Sequence, residues 1–233
     1  MSVLLLRLAG PMQAWGDSSR YARRETRLQP TKSGVLGLIA AAQGRQRTES
    51  LDDLAALRFG VRIDQPGHLT RDFQTAIRWA DPAQPSMPLS YRYYLADAVF
   101  LAGIEGERSV MDALHAALRT PAYPLYLGRR SCPVEGELAL GVVDSGLVEA
   151  LTEHPWLASM RYRRSQGQAV HLPILVDAAD TQDSHETARD VPVSFSPERR
   201  EYSWRHVAAA PEKRVINPDG HHRPDFFAAL GGV

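Results

Sequence analysis

The sequence predicts an α+β protein, and three features of its element order carry that prediction. Residues 3–64 have the pattern of a strand, a helix and a second strand. Residues 68–104 alternate like a long β-hairpin, and residues 109–143 hold a second amphipathic helix followed by another strand. The resulting order β, α, β, β, α, β is the pattern of ferredoxin-like folds.

The first strand and helix have clear local signals. VLLLRLAG at residues 3–10 is an apolar run that predicts a buried strand. PTKSGVLGLIAAAQG follows at residues 30–44, where Pro30 and Thr31 suit a helix start and Gly44 suits a helix end. These signals predict a helix that begins next to Thr31.

The remaining elements of the pattern are shorter. Ser50, with Asp53 three residues later, predicts a weakened capping box in SLDDLAALRF, which leads into the strand FGVRID. The hairpin connection WADPAQPSMPLS carries three prolines and predicts a mobile tip. The second helix is SVMDALHAAL, and the strand that follows it is ELALGVV.

These patterns divide the chain into three parts. Residues 1–145 form the predicted core, which includes a hairpin at about 68–104. Residues 146–220 form a small C-terminal β-rich extension, and residues 221–233 are predicted to be a flexible tail.

The charge of the chain is balanced overall but unevenly distributed. A formal net charge of zero argues against a non-specific polybasic binder. Residues 7–47 nevertheless hold eight basic and two acidic residues, whereas residues 135–153 hold five acids and no base. Almost all the basic residues are arginine, which suits phosphate and planar groups. The sequence therefore predicts one positive and one negative face.

The location and redox class also follow from the composition. The apolar run at residues 3–6 is cut by Arg7 and follows no basic region, which predicts neither a signal peptide nor a membrane span. We therefore expect a cytoplasmic protein. The single cysteine, Cys132, excludes an internal disulfide and a multi-thiolate zinc site.

Three segments are candidates for binding chemistry. YLGRRSCP joins Gly128 to the neighbouring guanidinium groups of Arg129 and Arg130, which suits an anion site or an ordinary surface turn. PTKSG predicts either an anion site formed by Lys32 and Ser33 at a helix start, or a Thr31 cap beside a solvated lysine. The YRYY run suits base stacking, or one face of a hairpin.

Enzyme and metal signatures are lacking in the sequence. PTKSG has its glycines after the lysine, so it does not match the nucleotide-binding loop. The eight histidines are scattered without metal-ligand spacing, and no GxSxG, HExxH or paired-carboxylate motif is present. We therefore predict no catalytic residue, no metal and no cofactor.

Six segments together resemble a known family. They are LRLAGPMQAWG, PTKSGVLGL, RDFQT, YLADAVF, YLGRRSCP and TARDVP. In this order they resemble the CasD family of subunits of the type I-E CRISPR surveillance complex, Cascade. The resemblance covers nearly the whole chain, and GPMQAWG and YLGRRSCP are its most specific parts.

The resemblance implies a fold, a ligand and partners. It implies an RRM-like core with a protruding hairpin thumb, bound to the 5′ handle of the CRISPR RNA (crRNA). It also implies contact with the backbone subunit CasC and the large subunit CasA. The candidate RNA-binding residues are Arg27, Lys32, Ser33, Arg71, Tyr91, Arg92, Tyr126, Arg129, Arg130 and Ser131.

Three functions are compatible with the sequence. The first is a non-catalytic RNA-binding and assembly subunit in antiviral defence. The second is a metal-independent endoribonuclease that processes precursor crRNA by general acid and base catalysis, with a histidine as the obvious participant. The third is a protein-binding scaffold. The clustering of arginine with tyrosine favours the first over the third.

Overall fold

A computed structural model describes residues 1–16, 23–77, 86–178 and 186–221, and in it the chain forms two β-sheets and five helices. The larger sheet has seven strands: β1 (Ser2–Ala9), β4 (Arg58–Gln65), β7 (Val99–Gly106), β8 (Ala139–Val143), β9 (Ala169–Asp177), β10 (Glu186–Phe195) and β11 (Arg200–Ile216). The smaller sheet has four: β2 (Met12–Gln13), β3 (Arg23–Arg24), β5 (His68–Gln74) and β6 (Ser90–Ala96). The helices are α1 (Lys32–Ala42), α2 (Asp52–Ala55), α3 (Arg108–Arg119), α4 (Leu147–Glu153) and α5 (Met160–Ser165).

The predicted mixture of strands and helices is confirmed. The seven-stranded sheet has the order β10-β11-β9-β4-β7-β1-β8, and all its neighbouring strands are antiparallel. Helix α1 follows β1, and α3 connects β7 to β8. The sheet curls at one end, where β10 contacts α1 and the ring of Phe195 lies against Gly37.

Alternation along β1 sends its side chains into two cores. Leu4, Leu6 and Leu8 lie on one face in the core that contains α1, α2 and α3. Val3 and Leu5 lie on the other face in a second core, which contains α4. Both faces of the sheet are therefore covered around β1.

The first helix begins where the sequence predicts. The Thr31 side chain caps α1 by accepting a hydrogen bond from the Gly34 amide at 3.2 Å, and Gly44 beyond its end has a φ of +77°. Gly34 is required for packing, because a Cβ atom there would lie 2.7 Å from the Trp15 ring.

The predicted capping box of the second helix is wrong. Ser50 Oγ accepts from the amide of Asp52, two residues on, and no side chain caps the first residue of α2. Asp53 instead binds Arg45, because that guanidinium offers two charged donors and the capping position offers one neutral amide.

The hairpin is shorter in the structure than the predicted range of about 68–104. Strand β7 pairs with β1 and β4 in the middle of the large sheet, so the hairpin consists of β5 and β6 and ends before residue 99. Strands β9, β10 and β11 lie within the predicted C-terminal β-rich extension and continue the large sheet. Residues 78–85 of the predicted hairpin tip and residues 222–233 of the predicted tail lie outside the described residues.

A buried ion pair holds α4 on the second face of the large sheet. Arg62 and Asp64 on β4 are both fully buried, with Nε and Oδ1 2.6 Å apart. The same guanidinium donates to the carbonyls of His154 and Pro155, just after α4.

In the described ranges no helix is long and apolar enough to span a bilayer.

The segments GPMQAWG and YLGRRSCP pack against each other. The Ala14 amide donates to the Leu127 carbonyl at 3.0 Å, and the Glu135 amide donates to the Ala9 carbonyl at 2.9 Å. Gly128 has a φ of +88°, and a Cβ atom there would lie 1.7 Å from the Ala14 carbonyl oxygen. The glycine is thus required because two segments of the protein backbone meet, and not for the approach of a ligand.

We expect Gly128→Ala to lower the free energy of unfolding by about 3 kcal/mol or more, because it combines a backbone clash with a left-handed φ. Chemical denaturation measures the change. Gly146→Ala is the control. A Cβ atom at Gly146 would have no other atom within 4 Å, and the φ of this residue is −74°. Equal stabilities for the two variants would contradict this account of Gly128.

Candidate nucleic-acid interface

The small sheet presents an aromatic and arginine-rich face to solvent. In the β5–β6 hairpin Arg71 is opposite Tyr93, and Phe73 is opposite Tyr91. Alternation places all four side chains on the same face. The guanidinium of Arg71 lies 5.3 Å from the centre of the Tyr91 ring, so these two side chains are on the same face.

Strand β3 adds a second arginine to this face. Arg23 pairs with Tyr91 in parallel register, and its guanidinium lies 5.4 Å from the centre of the Tyr93 ring. Glu25 neutralises part of this charge through an ion pair of 2.8 Å. We call this surface the hairpin face, and its residues are Arg23, Leu69, Arg71, Phe73, Tyr91 and Tyr93.

The hairpin face exposes more apolar surface than isolated side chains would. Phe73 is 66% exposed, Leu69 55% and Tyr91 38%. Exposed rings beside guanidinium groups form the type of surface on which single-stranded bases stack. Contiguous apolar exposure of this kind is typical of a surface that binds something.

The opposite side of the hairpin is supported by Arg129. Its guanidinium donates to the carbonyls of Tyr93 at 3.0 Å and Arg24 at 2.9 Å. It also lies 4.7 Å from the centre of the buried Tyr94 ring. Arg129 therefore has a structural role, because these donors are directed at the protein's own backbone, and its contact with RNA stays a prediction.

The other candidate RNA-binding residues of YLGRRSCP lie at the tip and at the base of this loop. Arg130 and Ser131 are exposed at the loop tip, and in the part of the chain that the structure describes the Arg130 side chain has no hydrogen-bond or ion-pair partner. Tyr126 is half-buried at the loop base, where it bridges to Pro133. Burial raises the pKa of the Cys132 thiol, which fits an inert core position.

The predicted anion site at the start of α1 is occupied by the protein itself. The Lys32 amide donates to Asp190 Oδ2 at 2.8 Å, and the Lys32 ammonium group binds Asp177 Oδ2 at 2.9 Å. Lys32 and Ser33 are each 5% exposed. Carboxylates from β9 and β10 therefore already neutralise this site, and a contact of these two residues with RNA stays a prediction.

Arg205 on β11 completes this buried charge cluster. It binds Asp190 Oδ1 at 2.6 Å and Asp177 Oδ1 at 2.7 Å. Burial alone would lower the pKa of Arg205, but the hydrogen bonds and charges of the two aspartates raise it above its usual value. The cluster ties the start of α1 to the C-terminal strands.

The last two candidates lie away from the hairpin face. Arg27 is exposed at the mouth of a cleft above the charge cluster, with its guanidinium 3.5 Å from Glu186. Arg92 on β6 pairs with Asp72 in the β5 register, and alternation places it on the opposite side of the hairpin from Tyr91.

Of the ten predicted residues, the structure therefore brings only Arg71 and Tyr91 together on the hairpin face. Sequence reasoning missed Arg23 and Phe73 as members of this surface, and it considered Tyr93 only as part of the YRYY run. RDFQT and YRYY each contain the required alternation. Their relative register was the missing information, because it depends on a connection without a recognisable turn motif.

Metal ligation has no support within the described residues, where no group of three or more His, Cys, Asp or Glu side chains could hold an ion. The geometry instead offers stacking surfaces and positive charge. Such a surface can bind nucleic acid without any cofactor.

Residues 3–208 match the model of a family described as CRISPR-associated protein (Cas_Cas5). The chain belongs to this family. It is similar to the Cascade subunit CasD of Escherichia coli (strain K12), with 38% identity over 162 residues, which cover 62% of this chain and 72% of the relative. The resemblance of the sequence to a family of CRISPR subunits is thus confirmed.

Two solved structures share the fold of this Cas_Cas5 member. One is a chain of a CRISPR RNA-guided surveillance complex, with a TM-score of 0.76 and 31% identity over 98% of this chain and 97% of that one. The other is a structure described as a Cas protein, with a TM-score of 0.70 and 38% identity over 95% and 99% of the two chains.

The two adjacent arginines of YLGRRSCP should respond differently to substitution. Arg129→Ala should lower the free energy of unfolding, because it leaves backbone carbonyls under the hairpin without their donor. Arg130→Ala should leave stability unchanged and, if it holds one phosphate, flatten the plot of log K against log salt by about 0.7 for a single-stranded RNA. Denaturation and RNA titrations at several salt concentrations measure both effects. The reverse pattern would contradict the structural role of Arg129 and the binding role of Arg130.

Proposed function

We propose that this chain is a non-catalytic, crRNA-binding subunit of a Cascade surveillance complex. In this proposal it holds the 5′ handle of the crRNA and links the backbone subunit CasC to the large subunit CasA. The observation that carries the proposal is the likeness to a chain of an RNA-guided surveillance complex over nearly the full length of both chains. The curated relative is itself a Cascade subunit.

The ligand part of the proposal is supported by the hairpin face. Its tyrosine and phenylalanine rings would stack on unpaired bases, and Arg23 and Arg71 would contact phosphates beside them. Arg130 at the tip of the neighbouring loop would add one further phosphate contact. The hairpin face is thus the proposed seat of the handle, and Arg129 holds it from behind.

The fold part of the proposal concerns four strands of the large sheet. The spatial order β4-β7-β1-β8, with α1 and α3 packed on one face, is compatible with an RRM-like core. The β5–β6 hairpin would be the thumb that protrudes from this core. Residues 146–220 would then be additions to one edge and one face of the same core.

Stacking on the hairpin face predicts a matched set of variants. Tyr91→Ala and Phe73→Ala should each weaken binding of handle RNA by about 1–3 kcal/mol, because each removes a ring on which a base stacks. Fluorescence anisotropy with a labelled handle RNA measures the affinity. Tyr123→Ala removes an exposed ring on a different surface and should have no effect. The stacking assignment fails if all three variants bind equally well.

The endoribonuclease alternative has a direct test. Incubation of the purified chain with repeat RNA in EDTA should leave the RNA intact on a denaturing gel, whereas one discrete cleavage would establish the alternative. One histidine with a shifted pKa is His154, where burial lowers the value. It lies next to the Pro155 carbonyl beyond α4 and not on the hairpin face.

A further inference from the structure

Helix α5 carries a positive cluster that the proposed function does not use. Its sequence MRYRRS holds three arginines, and residues 154–176 around it contain no acidic side chain. A charge cluster of this kind on a short helix has two ordinary explanations. The arginines could hold the protein together, or they could stabilise the end of the helix.

The first explanation accounts for one arginine only. Arg163 Nε donates to the Ala158 carbonyl at 3.0 Å, and its guanidinium also binds the Trp156 carbonyl and lies 5.2 Å from the centre of the Trp156 ring. This side chain fixes the helix on the small core around Trp156. Arg163 is therefore a structural residue.

The second explanation fails because other side chains already contact the carbonyl groups of the last turn of α5. Asn217 Nδ2 donates to the Arg163 carbonyl at 2.8 Å, and Ser165 Oγ donates to the Tyr162 carbonyl at 2.7 Å. His221 Nδ1 lies 3.3 Å from the Arg164 carbonyl. The carbonyl groups of the last turn thus do not need an arginine side chain.

Arg161 and Arg164 remain for an external partner. Both side chains are exposed, and across the ranges that the structure describes neither has a hydrogen-bond or ion-pair partner. The sequence segment that holds them, residues 154–176, contains no Asp or Glu. Phosphates are a natural partner for two exposed guanidinium groups whose donors the described part of the protein leaves open.

Hydrogen bonds of Gln65 connect α5 to the base of the hairpin. The amide and hydroxyl groups of Ser159, which caps α5, donate to Gln65 Oε1 at 3.1 and 3.0 Å. Gln65 Nε2 in turn donates to the Asp97 carbonyl in the turn between β6 and β7. The same glutamine therefore anchors the arginine helix and the base of the hairpin.

We infer that Arg161 and Arg164 form a second nucleic-acid contact, which binds the phosphodiester backbone without reading bases. This contact goes beyond the handle site on the hairpin face and does not depend on it. The shared chemistry is the phosphate chain of RNA or of duplex DNA. Because phosphate contacts do not specify sequence, binding at α5 is equal for unrelated sequences.

The test compares two double variants of the full chain that remove equal charge. Arg161→Ala/Arg164→Ala should flatten the plot of log K against log salt by about 1.4 with a single-stranded RNA, or by about 1.8 with a duplex DNA. The probe whose salt slope changes, RNA or DNA, identifies the source of the phosphates. Arg47→Ala/Arg119→Ala removes two exposed arginines elsewhere and should leave both slopes unchanged.

Restoration of the charge distinguishes binding from folding. Arg161→Lys/Arg164→Lys should recover the slope, and circular dichroism should show the same melting temperature for the alanine variant and the parent chain. An unchanged slope with both probes would overturn the inference, and so would an equal change in the Arg47/Arg119 control. Normal nucleic-acid binding combined with lost assembly with other subunits would also overturn it in favour of a protein contact.

The outcome is separable from that of the proposed function. Tyr91→Ala tests the hairpin face on the same probes. If Tyr91→Ala weakens RNA binding while the Arg161/Arg164 variant does not, the second contact is refuted and the proposed function stands. If the Arg161/Arg164 variant flattens the salt slope while Tyr91→Ala binds handle RNA with unchanged affinity, the second contact stands and the handle site on the hairpin face is refuted.

Discussion

The contact between the backbone of Ala14 and the turn at Leu127 and Gly128 determines how the two sheets meet. Ala14 follows β2, which belongs to the small sheet, and Gly128 leaves no room for a Cβ atom between the two segments. Arg129 is the next residue, so this contact aims its guanidinium at the Tyr93 carbonyl under the hairpin. The direction of the hairpin face thus depends on a backbone contact that only glycine permits.

The large sheet is covered on both faces around β1, and the small sheet beside it keeps one face open to solvent. RRM domains commonly stack bases on aromatic residues of the sheet surface. In this chain Val3, Leu5 and Leu101 lie on one face of β1 and β7, and α4 buries them. Because both faces of the large sheet are closed around β1, the proposed stacking surface lies on the β5–β6 hairpin, which has one open face.

Local patterns predicted the elements well and their partners poorly. The start of α1 at Thr31 and the alternation in RDFQT and YRYY depend on neighbours in sequence, so periodicity and capping rules are sufficient. The anion at the α1 N-terminus was predicted in kind, because the helix dipole and free amides require one. Its source, Asp190, is 158 residues from Lys32 in sequence, and no local rule connects such a pair.

Arginine roles are the clearest case of what sequence proximity conceals. A guanidinium has five donors, so one half-buried arginine can satisfy several carbonyls, as Arg129 and Arg163 do. Their neighbours Arg130 and Arg164 are exposed and have no partner within the described residues. A count of arginines therefore overestimates the charge available to nucleic acid. The useful quantity is the number whose donors the fold has left open, and only the packed structure gives it.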